Sequence, residues 1–364
     1  MAIHFFTEHI THWVNNGYQV HLACSPVGKR TSDLREHFKD EPNFAVSELS
    51  LQRSPFSLSN YKGYRELKKH LKSHKYDCIV TNEPVMGLVT RLAARKEKSK
   101  VVYIAHGFHF FKGGSKIKNF IFRNIERIAA SHTDCLVTIN HEDFEAAKSF
   151  KLRNSGTMQF LPGIGVNTKR FTDAMGNRAA MREKLGLAEE DVAIAVIGEL
   201  NDNKNQQVLI HAMPLLLNKF STAKLILIGE GQNKASYEAL AQALGVDKAV
   251  FMLGYRKDVP DILSASDIGA SASGREGLPL NLIEEMALAL PLVASVNRGH
   301  VEILDEGKGG FFCRENTPEA YAEILLRLCS DPQLRKNYGN HNLNACRKFD
   351  ISIVKEQLLD IIRL

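Results

Sequence analysis

The 364-residue sequence has no long hydrophobic run. No stretch reaches the roughly 18 consecutive apolar side chains that a transmembrane helix needs. The first residues also lack the basic and apolar segments of a signal peptide. Hydrophobic residues make up 44% and charged residues 24% of the chain, which excludes a disordered or collagen-like protein. We therefore expect a globular protein of two or three domains without a membrane-spanning helix.

Cysteine pairs are missing as well. The six cysteines are scattered along the chain, and no two of them form a C-x-x-C pair. This spacing argues against a zinc site or a disulfide framework and favours a reducing compartment. We interpret most of these cysteines as small core residues.

Negative charge is scarce in the first half of the chain. Residues 1–175 contain 26 Lys and Arg against 16 Asp and Glu, whereas residues 176–364 contain 21 against 25. The excess of positive charge indicates either a solvated face or a surface that meets an anionic partner. Because no nucleic-acid-binding motif accompanies it, we expect no nucleic acid and prefer a membrane or a phosphorylated acceptor.

Short apolar runs alternate with helical segments along the whole chain. One series of runs lies between Val20 and Ile139, and a second lies between Ala193 and Ala294. Such alternation predicts two Rossmann-like, doubly wound α/β domains. Ligands of these folds bind beyond the carboxyl ends of the strands, so a cleft between the domains is the expected site.

The Pro- and Gly-rich segment Leu161–Asn167 is the expected joint between the domains. We predict an N-terminal domain over residues 1–165 and a C-terminal domain over residues 166–350. The last helix, residues 351–364, is expected to pack back on the N-terminal domain.

The beginning of the chain departs from the doubly wound pattern. Such a domain should open with a strand and a Gly-rich turn, whereas Phe6, Ile10, Trp13 and Val14 have helical spacing and Asn16-Gly17 ends the segment. Residues 1–6 are interpreted as part of this helix. We therefore expect the N-terminal domain to lack its usual first strand and loop.

The segment 273–287 contains the richest set of candidate binding residues. A strand ends near Ala270, a Gly- and Ser-containing loop carries Glu276, and Glu284 lies about one turn into the following helix. Backbone N–H groups at such a helix start favour an anion or a sugar hydroxyl. The two carboxylates could accept hydrogen bonds from separate hydroxyl groups of one ligand. The alternative is a capped surface helix with exposed glutamates.

Other loops follow predicted strands in the second series. Gly198 and Lys204 lie between a strand and a helix, where Lys204 is either an anion ligand or a solvated lysine. The Gly229-Glu230-Gly231 turn is weak evidence for a dinucleotide site, because Lys234 occupies the third glycine position of G-x-G-x-x-G.

In the first domain, His106 follows a clear strand and is predicted to point into the cleft. His109 is either a packing residue or an acceptor contact. Basic and aromatic residues interleave just beyond it, as is typical of the headgroup region of an anionic bilayer. Core packing of the aromatic residues is the alternative. The predicted acceptor and membrane side consists of His109, Phe110, Phe111, Lys112, Lys116 and Lys118.

The segment from Glu276 to Glu284 resembles the E-x7-E signature of retaining glycosyltransferases with the GT-B fold, family 4 in particular, and the flanking EGLPLNLIEEMALALPLVAS is similar to the same pattern. The resemblance implies that Glu276 binds hydroxyl groups of the donor sugar and that Glu284 binds the ribose. The backbone of Gly277, Leu278 and Pro279 would cradle the sugar and the diphosphate.

Further segments are similar to the same family. Gly198–Asn205 resembles G-R-L-x-x-x-K-G, which makes Lys204 a diphosphate ligand, although Glu199 stands at the arginine position. The loop that begins near Phe251 resembles the one that receives the base, so Tyr255 or Arg256 would contact uracil, with a nonspecific turn as the alternative. His106 matches the active-site histidine. The resemblance makes His106 and Glu276 the catalytic residues, and it makes residues 1–165 the acceptor-side domain and residues 166–350 the nucleotide-sugar donor domain.

The resemblance implies a retaining, metal-independent transfer from a nucleotide-diphosphate sugar, a UDP-sugar by family frequency, to a lipid-linked saccharide. It needs no cofactor, because the nucleotide-sugar is a co-substrate. The implied setting is capsule, exopolysaccharide or lipopolysaccharide synthesis in the cytoplasm, at the inner face of the cell membrane. The alternatives are a non-catalytic nucleotide-sugar-binding subunit, an epimerase or a phosphorylase of the same fold.

Overall fold

The computed structural model describes residues 6–26, 31–52, 54–55 and 57–363. The chain divides into two compact units: unit 1 is Met1–Gly165 with Ile351–Leu364, and unit 2 is Val166–Asp350. Both units alternate parallel strands with helices, which confirms the α/β class that the sequence predicts. Within the described ranges, no helix combines the length and apolar character needed to cross a membrane.

Unit 1 begins, in its described part, with a helix. The elements of unit 1 are α1 (Thr7–Asn15), β1 (Val20–Cys24), α2 (Thr31–His37), β2 (Phe44–Glu48), α3 (Ser59–Ser73), β3 (Cys78–Asn82), α4 (Pro84–Ala93), β4 (Lys100–Ala105), α5 (Lys116–Ala130), β5 (Cys135–Thr138), α6 (His141–Ala147) and β6 (Thr157–Phe160). The predicted opening helix is confirmed for Thr7–Asn15, and Gly17 follows it with a φ of 83°. The part of that prediction that falls on residues 1–5 lies outside the described residues.

The strands of unit 1 form two parallel sheets within the described residues. One has the order β3-β4-β5-β6, and β1 pairs only with β2. Residues next to both sheets share one hydrophobic core, in which Leu49 and Leu67 pack with Ala94 and Val101. The helices α3 and α4 therefore contribute to one core that reaches residues next to both sheets.

A buried ion pair fixes the orientation of α5. Arg91 of α4 is fully buried, and its Nη2 lies 2.9 Å from Oε2 of Glu126 on α5. The Arg91 guanidinium also lies over the ring of Tyr103 in β4, 3.8 Å from the ring centroid. Breaking a buried pair by removing one partner typically costs about 3–5 kcal/mol, so this contact holds one face of α5 inward.

Unit 2 contains one parallel sheet of six strands. Its elements are α7 (Thr168–Thr172), α8 (Arg178–Leu185), β7 (Val192–Ile197), α9 (Gln206–Leu217), β8 (Ala223–Ile228), α10 (Lys234–Ala243), β9 (Val250–Met252), α11 (Val259–Ser264), β10 (Ile268–Ser271), α12 (Leu280–Ala287), β11 (Leu292–Ser295), β12 (Gly310–Cys313), α13 (Pro318–Ser330) and α14 (Pro332–Ala345). The strand order is β12-β11-β10-β7-β8-β9. Because all strands are parallel, the loops that follow them lie along one edge.

The last helix, α15 (Ile351–Arg363), belongs to unit 1 rather than to the unit that precedes it in sequence. It packs against α1, and Val354 and Leu358 are fully buried. The ammonium group of Lys100 donates a hydrogen bond to the carbonyl of Ile361 at 2.7 Å. These contacts fasten the end of the chain to unit 1.

Candidate functional site

An ion pair joins two loops at the carboxyl edge of the unit 2 sheet. Lys204 lies on the loop after β7 and Glu276 on the loop after β10, and their Nζ and Oε1 atoms are 2.7 Å apart. The two side chains are only 20% and 14% exposed. A Cβ atom at Gly198 would lie 3.2 Å from Cε of Lys204, so glycine there leaves room for the lysine to cross. The structure thus brings three of the predicted donor residues together.

Hydrogen bonds to backbone groups hold the same two loops in place. The N–H of Gly274 donates to the carbonyl of Asn203 at 2.8 Å, and Nδ2 of Asn203 donates to the carbonyl of Arg275 at 3.1 Å. Oδ1 of Asn201 accepts from the N–H of Lys204 at 3.0 Å. Because these hydrogen bonds fix the backbone of both loops, the loops themselves place Lys204 and Glu276 opposite each other.

The loop that carries Glu276 continues directly into α12. Gly277, Leu278 and Pro279 form the connection, and Leu278 is buried. Pro279 is the N-cap residue, and no side chain caps the first turn of α12. The N–H groups of that turn and the positive end of the helix dipole favour an anionic ligand here.

The half-buried Glu284 of α12 has an unusual environment. Burial raises the pKa of its carboxyl group from 4.5 to about 7, and the guanidinium of Arg170 on α7 partly opposes this shift. The next residue, Glu285, is fully buried, and within the described part of the chain neither of its carboxylate oxygens has a hydrogen-bond partner. Burial, together with the neighbouring carboxyl group of Glu284, raises the pKa of Glu285 well above its usual value, which favours the protonated form.

The loop after β9 lies beside the loop after β8, because the N–H of Gly229 donates to the carbonyl of Gly254 at 2.9 Å. Tyr255 is 60% exposed. Arg256 is held by Asp258, with 2.7 Å between Nε and Oδ1. Of the two predicted uracil contacts, the Tyr255 ring is therefore the accessible one, and Arg256 is occupied by its carboxylate partner.

His106 lies in unit 1, at the carboxyl end of β4. Its Nε2 atom is buried and has no hydrogen-bond partner among the residues that the structure describes. Burial lowers the pKa of His106 to about 4, so the imidazole is neutral at physiological pH. Because buried polar atoms are almost always paired, an unpaired imidazole nitrogen at a strand end is a candidate ligand contact.

The predicted acceptor and membrane residues separate into core and surface. Phe110 stacks on Phe108 with ring centroids 4.9 Å apart and belongs to the core of unit 1, so it is not available to a membrane. His109 packs against Phe122 at 5.2 Å, and Phe111 is half-buried. The lysines of the set are exposed: Lys112, Lys116 and Lys118.

Two features of the site carried no signal in the sequence. Arg170 is the cation that acts on Glu284, and it lies 114 positions before it in the chain. The loop Asn297–His300 lies against Glu276, although it follows a different strand. No group of three or more His, Cys, Asp and Glu side chains within the described residues could hold a metal ion.

Comparison with known proteins agrees with this geometry. A family model for group 1 glycosyl transferases matches residues 177–344, and a glycosyl transferase 4-like model matches residues 2–140. Glycosyltransferase EpsD of Bacillus subtilis is 35% identical over 98% of this chain and 93% of that protein. An Escherichia coli protein, UDP-Gal:alpha-D-GlcNAc-diphosphoundecaprenol alpha-1,3-galactosyltransferase, is 27% identical over 91% of this chain and 86% of its own.

Solved structures show the same architecture. The crystal structure of Anabaena HepE in complex with UDP-glucose has a TM-score of 0.80 at 19% identity. The match covers 98% of this chain and 95% of the HepE chain. WaaG, a glycosyltransferase involved in lipopolysaccharide biosynthesis, has a TM-score of 0.72 at 18% identity, and covers 94% of this chain and 99% of its own.

Two Rossmann-like units with these structural neighbours define a GT-B fold, as the sequence resemblance implied. The chain belongs to the group 1 glycosyltransferases, and the activity of the class is the transfer of a sugar to an acceptor. The individual roles of the site residues remain predictions.

Replacing Glu284 with glutamine should stabilise the protein at alkaline pH. The native carboxyl group, with its pKa raised from 4.5 to about 7, keeps a proton that the unfolded state has released within that window, so wild-type stability falls as the pH rises through it. Glutamine removes this penalty. We expect no gain below about pH 4.5 and a gain of up to about 3 kcal/mol above pH 7.

The measurement is the melting temperature at about pH 5 and about pH 8.5 for the wild type and for Glu284→Gln. Glu323→Gln, on an exposed position of α13, is the matched control. Equal melting temperatures of Glu284→Gln and the wild type at the higher pH would contradict the raised pKa.

Proposed function

We propose that this glycosyltransferase moves a sugar from a UDP-sugar to a hydroxyl group of a lipid-linked saccharide, with retention of the anomeric configuration. The setting would be synthesis of capsule, exopolysaccharide or lipopolysaccharide. The observation that carries the proposal is the Lys204–Glu276 ion pair beside the start of α12. The E. coli relative whose name gives UDP-Gal and a diphosphoundecaprenol acceptor supports it, as does the HepE complex with UDP-glucose.

Donor binding would exchange the partners of this ion pair. The diphosphate would take the ammonium group of Lys204 and the N–H groups at the start of α12. Glu276, released from Lys204, would then accept hydrogen bonds from hydroxyl groups of the sugar. An exchange of this kind leaves neither of the mostly buried charges unpaired, which is the costly state.

The rest of the nucleotide would bind along the same edge of the unit 2 sheet. Glu284 would accept hydrogen bonds from the ribose hydroxyl groups, and these bonds would favour its ionised form. The exposed ring of Tyr255 would stack on uracil. Gly198 would allow the backbone to approach the donor closely, as it already does for the Lys204 side chain.

The reaction breaks the bond from the anomeric carbon to the diphosphate and forms one from that carbon to the acceptor oxygen. In front-face attack, the proton of the acceptor hydroxyl passes to the departing phosphate oxygen, which gives UDP and a retained product. Lys204 and the α12 dipole would stabilise the charge that develops on the diphosphate. By the family resemblance we assign His106 to the reacting sugar, and its buried Nε2, which has no hydrogen-bond partner among the described residues, is free to contact a ligand.

Transfer assays test this proposal. Purified protein is incubated with UDP-sugars and undecaprenyl diphosphate-linked saccharides, and the anomer of the product is read by NMR. We expect release of UDP and a retained anomer. Lys204→Met should lower kcat/KM by about 10²–10³-fold, the usual cost of removing one preorganised charge donor. Lys219→Met, at an exposed position in the same unit, is the control.

Other outcomes separate the alternatives. Binding of UDP-sugar without turnover on any acceptor would favour the non-catalytic binding subunit. Conversion of the UDP-sugar to an isomer would favour an epimerase. An inverted product would contradict the proposed mechanism while leaving the donor site in place.

We further propose that α5 docks on an anionic membrane at the cytoplasmic face. Its outer face exposes Ile117, Phe120 and Ile128, which are 74%, 71% and 62% exposed. These positions are separated by three and eight residues, so they line one stripe of the helix. Basic residues flank the stripe on both sides: Lys116, Lys118, Arg123 and Arg127. An apolar stripe between cations fits the interface of an anionic bilayer.

Phe120→Glu should weaken binding to vesicles of phosphatidylglycerol by at least about tenfold, because burial of one phenylalanine contributes about 1.5–3 kcal/mol. Co-sedimentation at low and high salt measures the effect. Leu215→Glu, at an exposed apolar position of unit 2, should leave vesicle binding unchanged. Equal binding of the wild type and Phe120→Glu would show that α5 is not the docking surface.

A further inference from the structure

A loop that follows β11 supports the backbone of Glu276. A Cβ atom at Gly299 would lie 2.7 Å from Cβ of Glu276, so the two backbones touch and only glycine fits. The buried Arg298 donates a hydrogen bond from Nε to the carbonyl of Glu276 at 3.3 Å. The position of Glu276 therefore depends on the conformation of the loop Asn297–His300.

Asn297 folds this loop. Its Oδ1 accepts from the N–H groups of Gly299 and His300, each at 3.0 Å. Its Nδ2 donates to the carbonyl of Ser273 at 2.9 Å. One side chain thus closes the loop on itself and ties it to the segment that leads to Glu276.

His300 connects the strands from which the two loops leave. The imidazole is fully buried, and its Nδ1 lies 2.6 Å from the carbonyl of Ser295 at the end of β11. Because a carbonyl can only accept, Nδ1 carries the hydrogen. Nε2 then accepts from the hydroxyl group of Ser271, at the end of β10, at 3.1 Å.

The backbone of Ser271 is itself anchored, because its carbonyl accepts from the hydroxyl group of Tyr321 at 3.1 Å. Burial lowers the pKa of His300 to about 4, so both of these imidazole hydrogen bonds are made by the neutral form at physiological pH. The imidazole therefore links the end of β10 to the end of β11 through two hydrogen bonds.

We propose that His300 is a positioning residue for Glu276: by bridging the ends of β10 and β11, it holds the loop that sets the Glu276 carboxylate against the donor sugar. This inference rests on the proposed donor site. The nucleotide half of that site has separate support, since α12 is anchored by its own buried side chains: Leu282, Ile283, Glu285, Met286 and Ala287. Loss of His300 should therefore affect recognition of the sugar and spare recognition of UDP.

Calorimetric titration separates these effects. The ligands are UDP and the tightest-binding of UDP-glucose, UDP-galactose and UDP-N-acetylglucosamine. For His300→Ala we expect the UDP-sugar to bind about tenfold more weakly, with UDP changed by less than about twofold. Glu276→Ala should likewise weaken UDP-sugar binding but not UDP binding, because its loss also frees Lys204 for the diphosphate. Because the two residues act on one contact, the double variant should be no worse than Glu276→Ala alone.

A conservative variant and a matched control complete the design. His300→Asn places an amide N–H near the Nδ1 position and should restore part of the UDP-sugar affinity. His341→Ala is the control, since His341 is a half-buried histidine of the same unit, paired with Asp305 at 2.8 Å. Ser271→Ala removes the partner of Nε2 and serves as a second test if His300→Ala does not fold.

Each remaining outcome is decisive. Equal weakening of UDP and UDP-sugar binding, or full additivity with Glu276→Ala, would overturn the positioning role and leave His300 a structural residue. An unchanged UDP-sugar affinity in both His300→Ala and Ser271→Ala would also overturn it. Failure of the wild type to bind any of these ligands would instead refute the proposed function.

Discussion

The ion pair between Lys204 and Glu276 determines how the loops of the donor unit are arranged. Two opposite charges that are mostly removed from water are stable only while they face one another. Lys204 and Glu276 lie on loops that follow different strands, so the pair holds these two loops together. A ligand that combines an anionic diphosphate with sugar hydroxyl groups offers a new partner to both side chains at once. The pair therefore orders the site before the ligand binds, and both charged side chains still have partners once it is bound.

The strands that the sequence predicts correctly are those with continuous apolar runs. In a parallel sheet the central strands are covered on both faces, so β7 is apolar throughout, β8 is apolar except for Lys224, and both stand out in the sequence. The strands that the sequence does not predict, β2, β6 and β12, lie at sheet edges and lack a long apolar run. Thr157–Phe160 contains an exposed threonine and a glutamine, and Gly310–Cys313 is only four residues long and begins with glycine. Their pairing is set by neighbours that are distant in sequence.

In the candidate site too, the sequence predicts contacts between residues that are close along the chain but not contacts between distant ones. Glu276 and Glu284 can be placed from sequence because a loop and a helix start bring them close along the chain. The contact between Lys204 and Glu276 spans 72 residues, and only the resemblance to a family connects them beforehand. His300 gave no signal, because one histidine after a strand has no characteristic spacing. The aromatic residues after His106 misled for a local reason: Phe108 and Phe110 alternate with His109, so both turn toward the core.

The exchange of ion-pair partners is the central claim, and a crystal structure of the protein with a UDP-sugar tests it most directly. The account predicts that Nζ of Lys204 moves from its position 2.7 Å from Glu276 to hydrogen-bond distance from a phosphate oxygen. The Glu276 carboxylate should then lie more than about 4 Å from Nζ, beyond ion-pair distance, and accept hydrogen bonds from hydroxyl groups of the sugar. An intact Lys204–Glu276 pair, with the diphosphate bound elsewhere, would contradict the account.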